Sequence, residues 1–401
     1  MIADVYQPMG AKPAPDFILT LADKDITNDI RQRLISLNMV DNGGLSADQL
    51  TINLDDSDGL MSLPSRGAIL ELFLGWNNSA LVGQGKFIVD TIIHSGAPDL
   101  ISITARSVDF RGSLNESRSE SYSDKTFGEI VQQISTRNGL NAPYLSDELA
   151  AIKIAHIDQT NETDVQFLSR LALANSARVT IKYQRLQFIK PGFGRSPLGE
   201  PNPIKTLTRS DGDTHRFELK DRGGYTGVSA SWLNTEHPEQ ANSSVQVERE
   251  IPQANASTSR HPAAKFADKT ATAPQQTSSY MVGKEKQVCH IAKIYRDKET
   301  AMRAAQSLFE QLQRGIATFS ISLATGQPDL FPETPIRVYG FKEAIDQQLW
   351  VVNKITHTLS NSGFFSNLEL NVYIEGVEIT TKENQSRFRQ SGLLLQVIEL
   401  L

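Results

Sequence analysis

Three short stretches concentrate side chains that could do chemistry. "DQTNETDVQFLSRLA" (158–172) sets Asn161, Glu162, Thr163 and Asp164 in a row ahead of a lone Arg170. "NLDDSDG" (53–59) places oxygen ligands at alternate positions before a glycine, and "SDGDTH" (210–215) puts two carboxylates and an imidazole within a few residues. Carboxylates in such groups can hold a hard cation or trade protons with a substrate. Each stretch also has a structural explanation. Counting a calcium loop back from Gly59 puts Leu54 at the first ligand position, and counting forward puts Ser65 where a bidentate Glu belongs, so this stretch reads as a strand-connecting turn. "SDGDTH" has no partner group that would complete a site, and it too reads as a turn. In the first stretch Asn161 reads as an N-cap, with Glu162 and Asp164 at the positive end of a helix dipole and Val165, Leu168, Leu171 and Ala172 on one apolar face.

Other familiar chemistries find no footing. The seven histidines (His94, His156, His215, His237, His261, His290 and His357) include no pair four residues apart and no HExxH. "GVSAS" (227–231) lacks the second glycine of a nucleophile elbow, and "GFGRSPLG" (192–199) precedes prolines where a phosphate loop needs a helix. Paired glycosidase carboxylates leave no local signature. No catalytic, cofactor-binding or metal residues are assigned from these stretches.

The elements around these stretches are mostly strands. "DFILTLADKDIT", "QLTINLDD", "AILELFLGW", "GKFIVDTIIHS" and "DLISITARSVDF" alternate apolar and polar residues between turn signals, the pattern of a small antiparallel barrel or sandwich over residues 1–110. Residues 111–212 change texture. "TFGEIVQQISTRNGL" predicts a helix with Thr126 and Glu129 as capping box and Asn138-Gly139 as stop; the opening stretch gives a second helix, and 177–192 a hairpin. Strands resume at 213–235 and again over 315–380, which together form the second predicted barrel. Between them, residues 236–280 read as a long mobile excursion, because from Gln253 to Ser279 the only large apolar residue is Phe266. A strand-helix segment follows (281–314), with Asp297 capping a helix whose stripe is Met302, Ala305, Leu308, Phe309 and Leu312. Residues 381–401 read as a polar tether carrying a short apolar tail.

One internal echo stands out. "FIVDTIIHS" (87–95) aligns without gaps on "WVVNKITHT" (350–358), with Val, Ile and His coinciding. Each copy follows a strand ending in Gly plus an aromatic (Gly75-Trp76, Gly340-Phe341) and precedes an alternating strand, "ISITA" (101–105) and "LELNV" (368–372). The expected fold is α+β and mainly β: two similar antiparallel barrels with an inserted α+β domain and a long loop.

Composition narrows the function class. The 401-residue chain is 39% hydrophobic and 21% charged, with net charge −6, so nothing argues for nucleic acid recognition. Cys289 is the only cysteine, which rules out an intrachain disulfide and a cysteine-based zinc site and suits a reducing cytoplasm. The first residues lack the pattern of a secretory signal, and no apolar run approaches the ~20 residues of a spanning helix.

Taken together, "SLNMVDNGGLSADQLTINLDDSDGLMSLPSRGAILELFLGW", "ARSVDFRGSLNESRSESY", "IDQTNETDVQFLSRLA" and "LWVVNKITHTL" resemble the phage late control protein D family, the baseplate hubs of contractile tails, from about Asp16 to Val377. The resemblance implies a structural, non-enzymatic homotrimer with two tube-like barrels per chain, a pseudo-sixfold adaptor between a hexameric tail tube and a trimeric spike. Its partners would be the tail tube protein, the central spike protein and other baseplate components, in the virion after assembly in the host cytoplasm. It is also similar to the hub region of type VI secretion spike proteins. This chain has no repetitive needle, which implies a spike on a separate polypeptide. A tail-tip cell-wall hydrolase, a carbohydrate-binding adhesin, and the hub of a phage-tail-like bacteriocin or type VI secretion-like device are the alternatives.

Overall fold

In the computed structural model the described residues are 14–44, 47–77, 79–107, 113–182, 184–220, 225–233, 242–249, 287–374 and 379–386. They divide between two compact units. The larger takes the chain up to Leu219 and again from Ala317; the smaller takes Lys220–Ile316 and the chain after Gly376.

Along the larger unit run β1 (Pro15–Leu21), β2 (Lys24–Asp25), the short α1 (Thr27–Arg31), β3 (Leu34–Asn42), β4 (Gln49–Asp55), β5 (Ile69–Trp76), β6 (Val82–Ser95) and β7 (Leu100–Ser107). An α+β insertion follows: β8 (Ser117–Thr126), α2 (Phe127–Arg137), β9 (Asn141–Tyr144), α3 (Asp147–Ala150), β10 (Lys153–Thr163), α4 (Asp164–Ala174), β11 (Arg178–Lys182) and β12 (Arg185–Ile189). Next come β13 (Lys205–Thr208) and β14 (Gly212–Leu219). The smaller unit interrupts with β15 (Gly227–Trp232), β16 (Asn242–Arg249), β17 (Val288–Tyr295) and α5 (Lys298–Gly315). The larger unit resumes with β18 (Ala317–Leu323), β19 (Pro335–Tyr339), α6 (Glu343–Asp346), β20 (Leu349–Ser360) and β21 (Gly363–Val372), and β22 (Ile379–Ser386) ends the described chain in the smaller unit. The protein is mainly β, as the alternating segments require.

Among the described residues, thirteen strands of the larger unit form one continuous sheet, and its order exposes a duplication. One half runs β3-β4-β7-β6-β5-β1; the other runs β14-β18-β21-β20-β19-β13. The halves agree in detail. Antiparallel pairing of β6 with β7 slips between Val89 and Thr91, and that of β20 with β21 slips between Val352 and Lys354, which the echo aligns with each other. In each half a left-handed residue donates its N–H to the Val before the bulge: Gly67 (φ +83) to Val89 O at 2.9 Å, and Glu333 (φ +69) to Val352 O at 2.8 Å. One detail of the echo changes. Through its partners, "ISITA" corresponds to Ser366–Leu370, two residues before the expected Leu368–Val372. A two-residue slip keeps every side chain on its face, so alternation alone cannot choose between these registers.

The two halves join edge to edge. Lys354–Ser360 of β20 pairs antiparallel with Asn42–Ser36 of β3, and Leu359 and Phe364 bury themselves in the core that Leu37, Met39, Leu50, Ile52 and Leu72 build. Trp76 packs on Phe364, with ring centroids 5.5 Å apart, and donates Nε1–H to Gly326 O at 2.9 Å.

In the α+β insertion, α2 and α4 pack on the β11-β12-β9 sheet around Tyr122, Phe127, Phe167 and Phe188. Thr126 and Glu129 form the predicted capping box of α2, and Gly139 follows its C-cap Asn138 in a left-handed turn (φ +67). For α4 the cap differs from expectation. Thr163 caps it in a box with Gln166, while Asn161 sits at φ +49 in a bulge of the β10-β8 ladder, whose pairing persists to Thr163. Thr163 adopts the extended backbone of a cap, and the strand runs two residues further than hydrophobic patterning shows.

The smaller unit holds a β17-β15-β16-β22 sheet, with Ala301, Ala305 and Phe309 of α5 packed on Val228, Ala230, Val245 and Val247. Asp297 caps α5 by accepting from Thr300 N. Three expectations shift here. Of 213–235, only the part to Leu219 lies in the large sheet, since β15 pairs with β16 and β17. Within 236–280, Asn242–Arg249 is a strand; Ser, Gln and Glu alternate with Val245 and Val247, a one-faced pattern that composition hides. The start of 381–401 is also strand, Ile379–Ser386 pairing with β16. Residues 234–241, 250–286 and 387–401, which carried the rest of the excursion and the apolar tail, lie outside the described residues, as do 1–13 and the "VDFRG" of the family-like block at 108–112.

Candidate functional site

Strand β11 alternates between two faces. Val179 and Ile181 enter the core of the α+β insertion, and Arg178, Thr180 and Lys182 turn to the large sheet. Lys182 Nζ donates to both oxygens of Asp41 at 2.6 and 2.8 Å and lies 3.7 Å from Asp48. Asp48 Oδ1 also accepts Asn42 N–H at 2.9 Å. Burial, then the adjacent Asp41 carboxylate, push the Asp48 carboxyl above the ordinary carboxylate range, against the pull of Lys182. Arg178 Nη1 donates to Gly43 O at 2.5 Å and to Asn353 Oδ1 at 3.2 Å, and burial lowers the pKa of its guanidinium. A Cβ on Gly43 would stand 2.7 Å from both Arg178 Nη1 and Asn353 O, so this approach of insertion to sheet requires glycine there.

A third contact comes from the segment after β18. Glu333 Oε2 accepts Gly192 N–H at 2.8 Å, and Glu333 O accepts from Asn202 Nδ2 at 2.9 Å. The three contacts border a cavity of about 740 Å³ lined by Asp41, Asp48, Phe73, Phe87, Lys182 and Phe331 among others. At its wall Lys182 faces Asp41 and Asp48, and Lys86 Nζ lies 3.7 Å from Glu71, pairs that lock chain segments together. Asp41 and Lys182 stand 141 positions apart in the chain, and Arg178 and Asn353 stand 175 apart. No local motif links them; the only sequence signal is the polar face of β11.

The stretch at 158–172 forms a second polar joint. Asp164, fully buried, accepts from Arg137, from Asn138 Nδ2 at 2.7 Å and from Gln159 Nε2 at 2.9 Å, and Arg137 also pairs with Glu120. Arg170 holds Glu162 at 3.0 and 2.7 Å and Asp158 O at 2.6 Å, with its guanidinium 5.2 Å over the Phe167 ring. Asp164 thus ties α2, α4 and β10 together as a buried charge with partners, a larger role than the expected dipole contact.

The other candidates are dispersed. In "NLDDSDG", Arg33 grips Asp58 at 2.7 and 2.6 Å and holds its pKa down to about 2, while Asp55 accepts from Ser57. In "SDGDTH", Asp211 Oδ2 accepts Thr208 N–H at 2.7 Å, and the His215 ring meets Phe341 edge-on. "GVSAS" is β15 of the smaller unit. His156 lies 3.2 Å from Asp158, and His237 and His261 are outside the described residues. His94 and His357, matched by the echo, sit in different surroundings. His94 is exposed near Asp56 and Asp99, whereas His357 is buried against Ser366 Oγ at 2.8 Å. Among the described residues no three His, Cys, Asp or Glu side chains cluster in a way that could hold a metal ion, and no helix is long and apolar enough to cross a membrane.

Comparison with known proteins gives this architecture its class. Residues 99–363 match the family described as phage tail baseplate hub (GPD). The chain belongs to that family. It is 47% identical to the probable baseplate hub protein of Escherichia phage 186, over 96% of this chain and all of that protein. It is 46% identical to the probable baseplate hub protein of Escherichia phage P2, over 94% of this chain and 98% of that protein. A solved tail protein from Neisseria meningitidis MC58 shares the fold at 11% identity, with a TM-score of 0.61 over 91% of this chain and 99% of that one. A phage tail baseplate hub is therefore what the two-half sheet and its polar joints serve, and the hub's place is the tail of the virion.

Proposed function

We propose that this hub is a homotrimeric, non-enzymatic adaptor that joins a contractile tail's hexameric tube to its trimeric central spike, so that the assembled tip can puncture a cell. The observation that carries this is the duplication: strand order, bulge and left-handed residue recur in the two halves. Three chains with two like halves each present six like units to a sixfold tube and three chains to a threefold spike. Each half acts as one tube-like barrel, one built on β1 and β3–β7, the other on β13, β14 and β18–β21. The α+β insertion decorates this ring, held by Lys182 and Arg178. Tube, spike and other baseplate proteins are the partners, and assembly takes place in the host cytoplasm.

Light scattering on the purified chain, alone and with its spike protein, tests the reading. A particle of three chains in either condition is expected; a stable dimer or hexamer in both would overturn it. Incubation with peptidoglycan tests the non-enzymatic part. Release of fragments that is lost on substituting one acidic pair would instead identify a cell-wall hydrolase.

A further inference from the structure

The junction between the two halves has an unfilled counterpart. Within the chain, the far part of β20 pairs with β3, and this covers both strands: Ile355 and Leu37 are 0% exposed, and Met39 and His357 are 1% exposed. The duplication maps β20 onto β6 and β3 onto β14. Val352 matches Val89 and His357 matches His94; through β18 and β21, Met39 matches Phe217 and Leu37 matches His215. Yet β6 beyond its bulge and β14 do not pair with each other. Among the described residues no strand lies along the outer edge of Thr91–Ser95, and β14 pairs only with β18.

Exposure follows. His94 and His215 are exposed where their counterparts are covered, Ile93 is 52% exposed and Leu219 is 54% exposed. Each chain thus offers both halves of a strand junction at two different sites, and one copy's β6 edge fits the next copy's β14 edge. Open edges of this kind recruit another chain, and a head-to-tail pairing of two different surfaces closes into a ring when its rotation permits.

We infer that neighbouring copies of this chain join by antiparallel pairing of β6 residues Thr91–Ser95 of one copy with β14 of the next, in the register copied from β20 and β3. That register sets Ile92 opposite Leu219, Ile93 opposite Glu218, His94 opposite Phe217 and Ser95 opposite Arg216. Ile92, His94, Phe217 and Leu219 face inward, as Ile355, His357, Met39 and Asp41 do within the chain. Ile93 and Glu218 face outward. The inference rests on the trimeric reading and specifies which strands build the trimer and in which register.

The experiment is disulfide trapping in the full chain. Cross-strand neighbours place their Cβ atoms about 5 Å apart, close to the reach of a disulfide, and a shift of four residues separates them by about 13 Å. The pair Ile93→Cys with Glu218→Cys is compared with the off-register pair Ile93→Cys with Thr214→Cys, in a Cys289→Ser background, with light scattering on each variant. Covalent species up to three chains, at least tenfold more abundant for the in-register pair, are the expected result. Trimers by light scattering with equal or no trapping of the in-register pair would overturn this inference and leave the trimeric reading standing. Monomers throughout, with and without the spike protein, would overturn both. A charge variant provides a second readout should the cysteine pair fold poorly: Ile93→Asp opposite Glu218 is expected to give monomers, and added Glu218→Lys to restore assembly. Assembly unaffected by Ile93→Asp would also overturn the inference.

Discussion

His357 makes stability depend on pH in a way that can be worked out from its surroundings. It lies on β20, 1% exposed, its ring 5.7 Å from that of Phe364 and its Nδ1 2.8 Å from Ser366 Oγ. Burial pulls its pKa down to about 4, with Asp329 pulling weakly the other way. In the unfolded chain the group titrates near 6.5. As pH falls below that value the unfolded chain takes up a proton that the folded chain refuses. The contribution of neutral His357 is therefore intact above about pH 6.5 and is lost as pH falls towards 4. At about 1.4 kcal/mol per pH unit over the roughly two units below 6.5, lowering pH from about 7.5 to 4.5 costs roughly 3 kcal/mol through this residue alone. His357→Asn keeps a hydrogen-bonding partner for Ser366 and removes the titration. Denaturant unfolding of parent and variant, followed by tryptophan fluorescence at both pH values, gives a difference in which other titrations cancel. Those include Asp48, whose raised pKa works in the opposite sense, its contribution present at low pH and lost as pH rises. The parent is expected to lose roughly 3 kcal/mol more than the variant on acidification. Equal losses would refute the burial argument for this histidine.

Other substitutions probe the joints. Asp164→Ala strips a buried acceptor from Arg137, Asn138 and Gln159 and is expected to cost about 3 kcal/mol in unfolding measurements. Lys182→Met removes the cation between Asp41 and Asp48; hydrogen exchange should rise along β11 and at Asp41 and Asp48, more at neutral pH than near pH 4, where the Asp48 carboxyl, its pKa raised by burial, is protonated. Thr163→Ala should lower stability by about 1 kcal/mol, whereas Asn161→Gly, at a left-handed position, should leave it unchanged or raise it slightly. The reverse ranking would return the cap of α4 to Asn161.

Local chemistry decided much of this protein before any chain crossing was known. Alternation marked the strands of both halves, because a side-chain period of two is visible within any eight residues. The Thr126 box and the Asp297 cap were legible because a cap and its acceptor lie three residues apart. The ordered motifs from "SLNMVDNGG" to "LWVVNKITHTL" pointed to the family, and the Val-Ile-His echo pointed to the duplication. Tertiary structure decided what depends on distant partners. The register of β21 against its counterpart is invisible to alternation, and the assignment of Gly227–Trp232 to the smaller unit follows from pairing with β16 and β17. Asp164 became the buried centre of a joint only once Arg137 reached it from α2. His94 and His357 share a sequence context and differ in environment because β3 covers one edge within the chain, while the matching edge has no strand along it among the described residues. Composition sets which side chains can pair and cover one another, and the crossings of the chain set which of them meet.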